Sequence, residues 1–210
     1  MRLPIVIFLL GMAFTAIGQK RLSEGNMTFS VITTTAGNAV GDTLVALHYF
    51  KGAHIRTDLI GSIGKTTTIY DTRETTGAII RDFGSQKILI PLDDTAWTDR
   101  NSWYANAKIT YKDDEKILLG YSCKRANIQL DGGAVLEVFF TTEVKLDNSD
   151  TEFQMENLPG LVLSYTYTKD QKTVAYIAES LNFDPVPIQR FDIPSSGYRI
   201  LSYAESKKQF

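Results

Sequence analysis

The chain has 210 residues, with 22 Lys and Arg against 24 Asp and Glu and a formal net charge of −2. Such balance, with no like-sign block longer than Asp113-Asp114-Glu115, argues against a nucleic-acid partner, which calls for a basic face. A lone cysteine, Cys123, rules out an intramolecular disulfide, and two histidines without a second cysteine fall short of a zinc set, so neither metal nor cofactor is expected.

At the amino terminus, Arg2 precedes an uncharged run over 3–17, and small Ala16 and Gly18 stand before Gln19. This is the pattern of a secretory signal peptide over 1–18, leaving one β-rich domain over 19–210. The run is short for a membrane span, which takes roughly 20 apolar residues, and no later stretch approaches that length. Gln19 stands where a bacterial lipoprotein carries its lipidated cysteine. The mature chain is therefore expected to be periplasmic or secreted, without a lipid or transmembrane anchor.

Beyond the signal, apolar and β-branched residues alternate over 27–31, 44–50 and 55–59. Further strand-like runs cover 66–70, 77–81, 87–90, 108–111, 116–121, 124–130, 135–141, 161–168, 173–181 and 198–203. Gly, Asn, Asp and Ser clusters separate them at short intervals, which predicts an antiparallel sandwich or barrel. Helices are expected only over 95–108 and within 150–157. Asp184-Pro185-Val186-Pro187 reads as a turn before a last strand.

The candidates for chemistry are few. Gly61-Ser62-Ile63-Gly64-Lys65-Thr66 ends like a phosphate-binding loop, but Leu59 replaces the glycine required five positions before Gly64, and a β-branched strand follows instead of a helix. A hairpin turn is the better reading. His48 and His54 flank Gly52, and Asp147 to Glu152 lacks the glycine and distant glutamate of a calcium loop. The acid pairs Asp93-Asp94 and Asp113-Asp114 are adjacent in sequence, which gives no evidence of facing across a cleft. No serine lies in a Gly-x-Ser-x-Gly elbow. Cys123 reads as a buried small hydrophobe, although Lys124 and Arg125 beside it would favour a thiolate. The 10 Tyr, 11 Phe and 2 Trp serve either as core or as the lining of an apolar cavity.

Two segments stand apart: Ile117 to Ala126, containing Gly120-Tyr121-Ser122-Cys123-Lys124, and Asn157-Leu158-Pro159-Gly160-Leu161-Val162. Together they resemble the motif pair of exported bacterial domains of unknown function called the GLPGLI type, with Asn157 and Val162 in place of that signature's outer glycine and isoleucine. Such domains are similar in pattern to the outer-membrane lipoprotein carrier superfamily. The resemblance implies a mainly β fold: a single strongly curved antiparallel sheet, an unclosed barrel, with one or two short helices. It also implies an apolar concavity, and it puts Arg56 forward as a ligand-binding or lid-holding residue. On the residues alone, Leu158-Pro159-Gly160 suits a type II turn and Gly120 a bulge or sharp bend.

The function expected from these readings is non-enzymatic binding of an apolar or lipid-like ligand in the concave face. The alternative is a structural module of the cell envelope whose sheet interior is filled and whose partner is another envelope protein.

Overall fold

The computed structural model describes residues 19–35, 39–131, 133–147, 155, 158–169 and 171–209. The proposed signal peptide and most of the 150–157 helix candidate lie outside them. The first half is a meander of six strands: β2 (Glu24–Thr35), β3 (Ala39–Lys51), β4 (His54–Gly61), β5 (Gly64–Asp71), β6 (Thr76–Phe83) and β7 (Gln86–Leu92), preceded by short β1 (Lys20–Leu22). Helix α1 (Asp94–Asn101) leads into β8 (Lys108–Leu118), β9 (Tyr121–Gln129), β10 (Val135–Thr141) and β11 (Val144–Leu146). The chain closes with β12 (Leu161–Lys169), β13 (Lys172–Asn182), β14 (Arg199–Ile200) and α2 (Tyr203–Gln209).

Twelve of these strands form one sheet in the order β14-β7-β6-β5-β4-β3-β2-β13-β12-β10-β9-β8, which does not close into a barrel. All its pairs are antiparallel except β14 with β7, and β1 pairs parallel with β11 in a separate ribbon. The expected mainly β, unclosed sheet with two short helices is therefore present, with these two parallel pairs added to it.

Period-two alternation decides the faces. In β2, Met27, Phe29 and Val31 are buried on the inner face while Thr28 and Ser30 point outward. Register carries the inner face across the meander in rows: Phe29, Ala46, Leu59, Thr66, Arg81 and Ile88 form one, and Phe50, Ile55, Tyr70, Gly77 and Leu92 another. The main core gathers Phe29, Ile79 and Ile90 from this half with Cys123, Leu161 and Leu163 from the other. The outer face of β5 to β7 is covered by the segment after β13, where Val186 and Phe191 pack on Ile69, Ala78, Ile80 and Leu89.

Several expectations are corrected. The 95–108 helix ends at Asn101 and passes through a 3-10 turn, Ser102–Tyr104, to Asn106, whose positive φ of 57° turns the chain toward β8. The two runs 108–111 and 116–121 are one strand, irregular between Tyr111 and Glu115, and Leu119-Gly120 is the hairpin turn that ends it. With φ of 50° and 82°, both turn residues are left-handed, the geometry of a two-residue type I′ loop, so Gly120 is neither a bulge nor a mid-strand bend. The last strand run shrinks to β14, and α2 follows because Ser202 and Glu205 form a reciprocal capping box. Ser202 N–H donates to Glu205 Oε2 at 2.9 Å, and Glu205 N–H donates to Ser202 Oγ at 3.3 Å.

Candidate functional site: the inner cleft

Thr66 and Thr68 of β5 and Leu136 of β10 line one cleft although six strand spacings separate β5 from β10 in the sheet. On a flat sheet those strands would stand roughly 29 Å apart, so the sheet must be strongly curved to bring them together. The cleft holds about 400 Å³. One wall is the meander, with Ala46, His48, Thr57 and Leu59; the other is Leu130, Leu136, Met155, Tyr165, Tyr167 and Tyr176. The end of α1 and the turn after it close one side with Arg100, Asn101 and Trp103.

Each wall has a local cause. Tyr165 and Tyr167 fall on the same face of β12 by alternation, and register sets Tyr165 against Tyr176 of β13, where the rings stack with centroids 4.3 Å apart. Helix α1 starts at Asp93, whose carboxylate accepts from Ala96 N–H at 2.8 Å. Its buried Trp97 stacks on Tyr70, which seats the helix on the inner face. Asn101 Nδ2 donates back to Trp97 O at 3.0 Å, so the residue after Arg100 is tied to the helix.

His48 sits at the cleft floor, edge-on to Phe29, with Nδ1 at 3.2 Å from Thr57 Oγ1. Burial holds its pKa well below the usual histidine value, so the ring is neutral near pH 7. Among the described residues the lining contains no carboxylate and no thiol, and Arg100 is its charged member. No group of three or more His, Cys, Asp or Glu among the described residues is placed to hold a metal ion.

Of the residues singled out from sequence, His48 lines this cleft, whereas Arg56 and the motif residues Gly120, Tyr121, Cys123, Leu158, Pro159 and Gly160 do not. Arg56 lies on the outer face, opposite it by alternation. Its guanidinium is paired with Asp58, Nε to Oδ1 and Nη2 to Oδ2 each at 3.0 Å, and Nη1 donates to Arg190 O at 2.7 Å. Asp58, nearly inaccessible, also accepts from Thr67 Oγ1 at 2.6 Å. Arg56 thus anchors the 188–191 turn that covers the outer face.

The two motif segments converge elsewhere, on the connection between β10 and β11. Ser122 N–H donates to Glu143 Oε1 at 2.9 Å, and Gly160 lies directly beneath the Thr141 carbonyl. Gly160 has no positive φ, so the expected type II turn is not made; the glycine is required because any Cβ would collide with Thr141. Leu158 fills a second core cluster with Ile128, Val138 and Phe140, while Pro159 is exposed. Tyr121 packs half-buried against the main core, and Cys123 is fully buried in it, its thiol pushed up to about 11 chiefly by loss of solvent. Cys123 is thus a protonated, solvent-inaccessible core residue near pH 7.

The sequence matches no protein-family model and no curated protein. Among solved structures, PNGF-II aligns over 88% of this chain with a TM-score of 0.51 and 11% identity. The likeness is one of fold. This chain spans 33% of that PNGF-II chain. MucB aligns over 83% of this chain and 58% of its own, with a TM-score of 0.44 and 11% identity. A LolA-superfamily protein from Nitrosomonas europaea aligns over 82% of this chain and 91% of its own, with a TM-score of 0.38 and 8% identity.

Sequence reasoning missed Arg100 and the three threonines of the floor. The threonines carried a usable signal, since Thr66 and Thr68 alternate with residues of the outer face. Arg100 carried none, because its place depends on where α1 docks.

Proposed function

We propose that residues 19–210 form an exported, non-enzymatic binding domain of the GLPGLI-like kind, which holds an apolar or lipid-like ligand in the inner cleft. The observation that carries this reading is the cleft itself: about 400 Å³, within the roughly 300–1,000 Å³ of ligand sites, and walled by leucines and tyrosines. The absence of carboxylates from its described lining favours binding over acid and base catalysis. Residues 1–18 direct export, and Gln19 leaves the mature chain unlipidated in the periplasm or medium. Arg56 supports the site from behind by fixing the outer cover, without touching the ligand.

The test is native mass spectrometry of the full chain exported to and purified from a bacterial periplasm, beside Leu59→Trp, which fills the cleft. An apolar adduct on the natural protein that is lost in the variant supports the reading. No adduct, together with no uptake of a fluorescent apolar probe, overturns it.

A second reading, an interaction module for an envelope protein, is favoured by the β8 edge, where Tyr111 and Ile117 are exposed, Ile117 at 76%. Charged substitution at Ile117 that abolished capture of an envelope partner, with ligand uptake intact, would select it.

A further inference from the structure

One row of the cleft floor departs from a purely apolar lining. Register aligns Met27, His48, Thr57, Thr68, Ile79 and Ile90 across β2 to β7 on the inner face, so three polar side chains stand in the middle of an otherwise apolar row. All three line the cleft. His48 Nδ1 and Thr57 Oγ1 lie 3.2 Å apart and satisfy each other. Thr68 is different: it is only 5% exposed, and no described residue forms a hydrogen bond with its hydroxyl. A nearly buried hydroxyl needs a partner to offset the loss of water, and the open volume beside Thr68 is the cleft itself.

The partner that fits is uncharged. Along the row Thr68 is flanked by the Thr57 side chain and by Ile79, and burial keeps His48, beyond Thr57, neutral near pH 7. Arg81 belongs to the next row, across from Thr66, and does not line the cleft; Arg100 enters from α1. An ionised head on Thr68 would exchange its hydration for one hydroxyl, whereas an alcohol or ketone gives up far less on leaving water.

We infer that the cleft takes an apolar molecule with an uncharged oxygen head, a hydroxyl or a carbonyl, which hydrogen-bonds Thr68 Oγ1 while its hydrocarbon body lies against Leu59, Leu136 and Tyr165. This inference rests on the apolar-ligand reading and adds the head group to it.

Displacement of Nile red, a neutral apolar dye, from the exported protein stripped of bound lipid compares 1-decanol, 2-decanone, 1-chlorodecane, decanoate and decyltrimethylammonium. The chloride matches the alcohol in length without its hydroxyl, so the ratio of the two affinities reports the head group. Thr68→Val, which keeps the shape of the side chain, should lower that ratio, or the ratio of the ketone to the chloride, about fivefold, as one neutral hydrogen bond supplies that much. Thr68→Ser, which keeps the hydroxyl, should hold it near the natural value. Whichever of the alcohol and the ketone loses more in Thr68→Val identifies the head. Both ratios unchanged in Thr68→Val, or decanoate or the ammonium ion binding more tightly than decanol, overturns the inference and leaves the apolar reading standing. Binding of neither the dye nor any of the five overturns both.

Discussion

Tyr70 and Trp97 lie face to face, ring centroids 4.0 Å apart and planes 5° from parallel, and this stack holds helix α1 across the inner face of the sheet. It is possible because Gly77, the cross-strand partner of Tyr70, has no side chain: a Cβ there would meet the Tyr70 ring and backbone. A small residue on one strand thus lets an aromatic ring lie over it and receive the helix that closes one side of the cleft. Trp97→Ala should cost about 3–5 kcal/mol, the range for removing a large buried aromatic. Urea unfolding measures it, and an unchanged midpoint would mean that α1 is held by something else.

Gly160 and Gly120 are needed for different reasons, and substitution separates them. At Gly120 there is open space but a φ of 82°, so Gly120→Ala should cost about 1–2 kcal/mol and Gly120→Asn distinctly less. At Gly160 the obstacle is the Thr141 carbonyl, so Ala and Asn should be similarly harmful, at about 1–3 kcal/mol or more. Thermal unfolding of the four variants tests the distinction; an Asn rescue at Gly160 would contradict it.

Arg56 and Asp58 form a buried pair on the outer face, with side-chain exposures of 15% and 6%. Arg56→Met leaves the carboxylate buried with Thr67 alone and should cost about 3–5 kcal/mol. Adding Asp58→Leu should recover much of that loss, since an apolar pair of similar volume replaces a buried ion pair at little cost. A double variant less stable than the single would show that the pair does more than satisfy itself.

The Cys123 thiol gives a sign-definite alkaline effect. Its pKa is raised by burial from 9.0 to about 11, so the unfolded chain loses the proton first. Its contribution is complete below pH 9 and is lost as pH rises toward about 11. Cys123→Ala should flatten the stability curve in that window, and a thiol reagent should label the protein only in denaturant.

His48 works at the other end. Its folded pKa lies well below the usual 6.5, so on acidification the unfolded chain takes up the proton while the folded one does not. Stability should therefore fall as pH drops below about 6.5. His48→Gln should remove this part of the acid dependence in unfolding titrations followed by circular dichroism.

The strands and their faces were legible because alternation is local: Met27, Phe29 and Val31 are apolar where the chain turns inward, and polar residues stand between them. The burial of Cys123 was legible from the apolar character of a free thiol, and the hairpin at Gly61 to Gly64 from its glycines and the β-branched strand after it. The helix at Tyr203 could also have been read from Ser202 and Glu205, a capping box within one turn, but the apolar Ile200, Leu201 and Tyr203 favoured a strand. The two motif segments meet around Thr141 and Glu143, away from the cleft, a convergence that depends on strand pairing and not on their local pattern.

From the sequence alone come the β class, the alternation that sorts each strand into two faces, and the pattern of an export signal. The cleft belongs to the tertiary structure. Alternation tells which side chains share a face, whereas curvature accumulates over twelve strands through twist and irregularities such as the register shift between Phe139 and Phe140. Only that accumulated bend brings Thr66 to Leu136, and only the seat of Trp97 on Tyr70 carries Arg100 to the cavity they share.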